Sequence, residues 1–120
     1  MVRISPDVGR NRVIIQLSGA PTSADAITCE RELHDTLTRL RSPVDVLSDI
    51  RELETMDAFS PEHFLKLGEI LRAFGVRKVV RVVGRRAQAA VHMQRMARQL
   101  KSHTAHLAFS MDEAEQVFGK

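Results

Sequence analysis

Three observations predict an α/β fold with a mostly parallel sheet. Strand-like and helix-like segments alternate along the chain. Lys78-Val79-Val80-Arg81-Val82-Val83 is nearly continuous valine, the pattern of a strand buried on both faces. Helix start and stop residues punctuate the segments between strands. The predicted order is β-β-α-β-α-β-α-β-α: an N-terminal antiparallel hairpin, then parallel strands with right-handed crossovers and about four helices.

Val2–Ser5 is the first expected strand, followed by a polar turn at Gly9-Arg10-Asn11. Arg12–Ser18 is the second, carried by the β-branched run Val13-Ile14-Ile15. Gly19 to Thr22 breaks the pattern, and Ser23 is the expected N-cap of the first helix. Ala26, Cys29, Leu33, Leu37 and Leu40 give that helix one apolar stripe, and it stops before Pro43. A strand is expected near residues 44–50. Arg51–Phe59 is polar and acidic and reads as a loop. Ser60-Pro61-Glu62-His63 is a helix start: Ser as cap, Pro at the first helical position, Glu in the first turn. Phe64, Leu67, Leu71 and Phe74 form its apolar face, and Gly75 ends it. The valine strand closes at Gly84. A helix over Ala87–Leu100, with Ala89, Met93, Met96 and Leu100 on one face, a strand over His103–Phe109 and a short helix over Asp112–Phe118 complete the chain.

At 120 residues and 43% apolar content, one domain spanning 1–120 with a single core is expected. A lone cysteine, Cys29, excludes an internal disulfide and a cysteine-rich zinc site. Neither a signal-peptide core nor a run near the ~20 apolar residues of a membrane span is visible, so a soluble, cytoplasmic protein is expected.

Charge is segregated. Val44–Glu69 holds seven acids against two bases, a net of −5, while Arg77–Lys101 holds eight bases and no acid, +8. The overall +3 hides this, and the pattern points to binding more than to catalysis. In open α/β sheets ligands sit beyond the carboxyl ends of the strands, so Arg51–Ser60 and Gly84–Arg86 are the loops to consider. Asp57 and Ser60 flank the bare amides of a helix start, where an anion could bind or Ser60 could carry a phosphate; Ser60 as a plain cap explains the same residues. Arg85 and Arg86 fall in the first turn of a helix, against its dipole, which calls for an external anion or the neighbouring acidic loop as compensation. Arg95, Arg98 and Lys101 continue a basic helix face. Without tryptophan, tyrosine or a helix-turn-helix pattern this face argues for solvation, not nucleic acid.

Nothing names a reaction. His103-x-x-His106 points to opposite faces of a strand, and His34, His63 and His92 fall on separate helices, so neither metal nor any other cofactor is expected. No Gly-x-Ser-x-Gly elbow, Walker loop or Gly-x-Gly-x-x-Gly occurs. Cys29 and the Met93/Met96 pair read as core.

From Val44-Asp-Val-Leu-Ser-Asp-Ile-Arg-Glu-Leu-Glu-Thr-Met-Asp57 onward the chain resembles the STAS domain, named for sulfate transporters and anti-sigma-factor antagonists. That family has a strand ending in an acid, a polar link, an Asp-Ser-Ser-Gly-like helix start, a valine-rich strand closed by Gly followed by a helix, and a last strand followed by a terminal helix with a residue pattern like Ser-Met-Asp-Glu-Ala here, at Ser110–Ala114. The resemblance covers roughly Arg12 to Phe118. It places Asp49 at the strand-end acid and Asp57 before the regulatory serines. Ala58 and Phe59 stand where those serines would be and Ser60 where the glycine would be, so the family's phosphorylation switch does not carry over residue for residue. The resemblance implies a non-enzymatic regulatory module that docks a protein partner, or itself; the strand-end residues Asp57, Ser60, Arg85 and Arg86 are its expected surface. The alternative is a domain that binds a small molecule, nucleotide or lipid-type ligand, anionic or apolar, on the same surface.

Overall fold

The computed structural model describes residues 1–84, 88–99 and 105–119. Of the expected features, Arg85, Arg86, Ala87, Leu100, Lys101 and His103, with the side chain of Ala89, lie outside the described residues.

β1 (Val2–Asp7) and β2 (Arg12–Gly19) form the antiparallel hairpin. Its turn contains Asn11, whose φ of 52° is left-handed and tolerable for asparagine. α1 (Ser23–Leu37), β3 (Val44–Leu53), α2 (Pro61–Ala73), β4 (Val76–Val83), α3 (Gln88–Gln99), β5 (His106–Ala108) and α4 (Met111–Phe118) follow. The sheet order is β1-β2-β3-β4-β5, parallel throughout after the first pair.

Two local expectations are corrected. Thr22, not Ser23, caps α1: its Oγ1 accepts from the Asp25 amide at 3.1 Å while the Asp25 carboxylate accepts from the Thr22 amide at 2.8 Å. That reciprocal box needs an acid three residues after the cap, which Thr22 has and Ser23 lacks. Arg51–Phe59 is not a loop throughout: β3 runs on to Leu53, and Leu53, Met56 and Phe59 are all buried. The polar residues between them face solvent while these three plug the end of the core. Ser60 and Gly75 behave as expected, one capping α2 through the His63 amide, the other following the helix at φ +65°.

The core lies on both faces of the sheet. On one face, Leu33 and Leu37 of α1 and Leu67 and Leu71 of α2 pack on Val13, Val46 and Val79, while Met93 of α3 joins Leu17, Ile50 and Val83. On the other, Ala114 and Phe118 of α4 cover Leu47, Val80 and Val82. The valine strand is thus buried on both sides, as its composition predicts. A register shift at the start of β4 leaves Arg77 exposed, where it pairs with Asp45. The α4 face also buries Arg12, 6% exposed, which pairs with Glu115 and lies 3.8 Å from the Phe118 ring centroid.

Candidate functional site

The carboxyl ends of β3 and β4 form one rim of the molecule. β4 ends at Val83, paired with Ile50, and β3 continues past that point to Leu53. Gly84 is pressed against this extension: a Cβ there would lie 2.4 Å from the Arg51 carbonyl oxygen. Beside it, Phe109 leaves β5 with its ring largely in solvent, 69% exposed. Arg51, Glu52, Leu53, Glu54, Val83, Gly84 and Phe109 line an open depression of about 650 Å³. Its apolar element is the Phe109 ring and its rim is acidic.

The charges of this rim are sorted by geometry. Arg51 turns back along its own strand to Asp49, with Nε donating to Oδ1 at 3.0 Å and Nη2 to Oδ2 at 2.9 Å. That hydrogen bonding holds the Asp49 carboxyl below its ordinary value, against the opposing effect of burial. Glu52, Glu54 and Asp57 are exposed, and among the described residues none of the three forms an ion pair. They give the rim a field that Arg51, already committed, does little to cancel.

The turn from Glu54 to Ser60 is fixed. The Glu54 amide donates to the Gly19 carbonyl at 2.8 Å, the Phe59 amide to the Met56 carbonyl at 2.9 Å, and the Asp57 amide to Thr55 Oγ1 at 3.1 Å. Phe59 is packed beneath, with its ring 6.0 Å from His63 and 5.9 Å from Phe64. Asp57 and Ser60 therefore share one short, anchored turn. Asp57 projects into solvent, while Ser60 Oγ, half-buried, accepts from the His63 amide at 3.3 Å. Arg85 and Arg86 directly follow Gly84 in sequence but lie outside the described residues.

Part of the predicted charge segregation is consumed inside the molecule. Arg77 pairs with Asp45 at 2.8 Å, and Lys78 Nζ donates to the Val117 carbonyl at 2.8 Å. Arg81 is turned into the core, where its Nη1 donates to Gln94 Oε1 at 2.9 Å. In the sequence Arg81 is one base among eight, set apart only as a charge at the centre of a valine strand. Phe109 carries a fainter signal, a phenylalanine at the end of the last strand, where ligands are expected. Cys29 is 3% exposed, and burial pushes its thiol up to about 12, so it is neutral and unreactive. Among the described residues no three His, Cys, Asp or Glu side chains are grouped to hold a metal ion, and no helix is long and apolar enough to cross a membrane.

A mixed five-stranded sheet with an N-terminal antiparallel hairpin, three helices on one face and a terminal helix on the other is a STAS-like fold. Among solved structures, the chain is similar to that of the anti-sigma factor antagonist SpoIIAA in its unphosphorylated form. The TM-score is 0.66 at 14% identity, with 100% of both chains covered. No family model and no curated protein sequence matches the chain.

Proposed function

We propose that residues 1–120 form one regulatory, non-enzymatic interaction domain that docks a protein partner through the strand-end rim. The observation that carries this reading is the exposed Phe109 ring set in a depression rimmed by Glu52 and Glu54. An aromatic anchor surrounded by polar groups is the usual energetic centre of a protein interface. Glu52, Glu54 and Asp57, which form no ion pair among the described residues, favour a partner segment carrying Lys or Arg and speed its encounter. Ser60 is the candidate modification site of the proposed surface, and Arg85 and Arg86, which directly follow Gly84 in the sequence, are assigned to it by their charge. SpoIIAA, which the fold resembles, is an anti-sigma factor antagonist, in keeping with such a role.

The test compares the wild-type chain with Phe109→Ala and with Arg85→Glu plus Arg86→Glu. Partner capture from lysate and light scattering of the pure protein report association, and circular dichroism reports folding. Phe109→Ala should lower association at least ~10-fold, as for a hot-spot aromatic, with the fold intact. Association unchanged in both folded variants would overturn the proposed surface.

A further inference from the structure

The other buried feature with unused chemistry lies away from the rim, between the sheet and its three covering helices. A cavity of about 90 Å³ is lined there by apolar side chains that include Leu33, Val46, Phe64, Leu67 and Met93. Ser48 and Arg81, register partners on β3 and β4, contribute a hydroxyl and a guanidinium. The third polar lining group, Cys29, is a neutral thiol and supplies no counter-charge.

Arg81 is a cation held by neutral groups. Its Nη1 donates to Gln94 Oε1, and Gln94 in turn donates to the Ala105 carbonyl at 2.9 Å. Its Nε is shielded from solvent and has no hydrogen-bond partner. No described carboxylate pairs with it. Burial lowers the Arg81 pKa to about 10, which leaves it charged at neutral pH. Arg81 as a whole is half-buried, but a cationic N–H shielded from water without a hydrogen-bond partner is costly, and that cost is relieved by an anion of the right size.

The same protein shows which anion suits the free edge. Arg51 and Arg77 each use Nε and Nη2 together to grip one carboxylate: Asp49 at 3.0 and 2.9 Å, Asp45 at 3.1 and 2.8 Å. In Arg81 that edge makes no hydrogen bond to any described residue, and the Gln94 bond uses Nη1 on the opposite side. The size limit follows from the cavity: an apolar cavity of ~150 Å³ admits benzene, with six heavy atoms, so in proportion the space here suits about four, with five as the upper limit. Beyond the Arg81 guanidinium, the Ser48 hydroxyl and the Cys29 thiol, the lining is apolar side chains. Sulfate or phosphate would turn oxygens onto Leu67 and Met93, whereas a carboxylate would turn a methyl or ethyl group onto them.

We propose that this cavity is a binding site for a short aliphatic monocarboxylate, of the size of acetate or propionate, gripped by the Nε/Nη2 edge of Arg81.

Titration of the full chain, with nitrogen NMR of the arginine Nε–H groups as readout, tests this directly. Acetate and propionate should move the Arg81 Nε–H signal with saturation at or below ~10 mM, as expected of ligands this small. Hexanoate and inorganic phosphate should bind at least ~10-fold more weakly. Arg81→Met, which keeps length but removes the charge, should abolish saturable binding seen with carboxyl-labelled propionate. If Arg81→Met does not fold, the size series on the wild-type chain decides alone. No saturable shift with acetate or propionate, an equal response to phosphate and propionate, or propionate binding retained in folded Arg81→Met would each overturn the site.

Discussion

Replacing Phe118 with alanine should cost about 3–4 kcal/mol, because the ring performs two separable tasks. It is 8% exposed and, with Ala114, covers Leu47, Val80, Val82 and Ala108 on the α4 face of the sheet. Truncating a buried phenylalanine costs ~3–5 kcal/mol; α4 is the last element described and can settle toward the sheet, which places this site at the lower end. The ring also lies 3.8 Å from the guanidinium of Arg12, itself 6% exposed. A desolvated cation–π contact contributes about 1–2 kcal/mol. Phe118→Leu keeps most of the apolar volume and removes the ring face, so it should cost only about 1–2 kcal/mol. Arg12→Met combined with Phe118→Leu should be less destabilising than the sum of the single changes, by about 1 kcal/mol. Urea unfolding reads all four proteins. Heat unfolding should show Phe118→Ala melting roughly 10 °C below wild type. If both Phe118→Ala and Phe118→Leu lie within about 0.5 kcal/mol of wild type, α4 does not cover the sheet as described and the reasoning fails.

Ser60→Ala should lose about 1 kcal/mol through the cap on α2, measured by urea unfolding; partner capture reduced beyond what that loss explains would give Ser60 a docking role as well. Gly84→Ala should destabilise by about 1–3 kcal/mol, since its Cβ would meet the Arg51 carbonyl oxygen at 2.4 Å and drive the ends of β3 and β4 apart; a variant of unchanged melting temperature would contradict that close approach. Asp49 is more acidic folded than its reference value of 3.8, so its pairing stabilises the fold above that pH and the contribution is lost as pH falls through the lower folded value. Asp49→Asn should therefore be less stable than wild type at neutral pH, with the difference shrinking below pH 3.8; a constant difference across pH 2–7 would rule out the linkage.

The features legible in the sequence were those set by neighbours in the chain. Ser60 before Pro61 and Gly75 after Phe74 mark both ends of α2, because capping depends on a few local amides and one left-handed residue. The misplaced α1 cap was also legible: Thr22 and Ser23 are both hydroxyls, and only Thr22 has an acid three residues on. Leu53, Met56 and Phe59 repeat at three-residue spacing, but the acids between them made the segment read as solvated. What local pattern could not supply was pairing between distant segments. The register shift that frees Arg77 for Asp45, and the 103 residues separating Arg12 from Glu115, depend on how strands and helices meet. The candidate site divides the same way. Asp57 and Ser60 were readable as one turn, whereas the rim around Phe109 exists only once β5 lies beside β4.

Two arginines with shielded head-group atoms, Arg12 buried and Arg81 half-buried, show where the fold departs from its own rules. Both carry a shielded, unpartnered Nε, on opposite faces of the sheet. Arg12 has the Glu115 carboxylate and the Phe118 ring, both brought by α4, so its charge is answered within the structure. Arg81 has a neutral glutamine, although carboxylates are abundant in the chain and Arg51 and Arg77 each hold one. Methionine at position 81 would fill similar space without the desolvation cost, at the loss of one hydrogen bond to Gln94. A position that breaks a rule obeyed elsewhere in the same molecule is best explained by a task other than holding the fold together. Because the unanswered charge borders an apolar cavity with its carboxylate-binding edge free, that task is the capture of a small acid, independent of whatever docks at the rim.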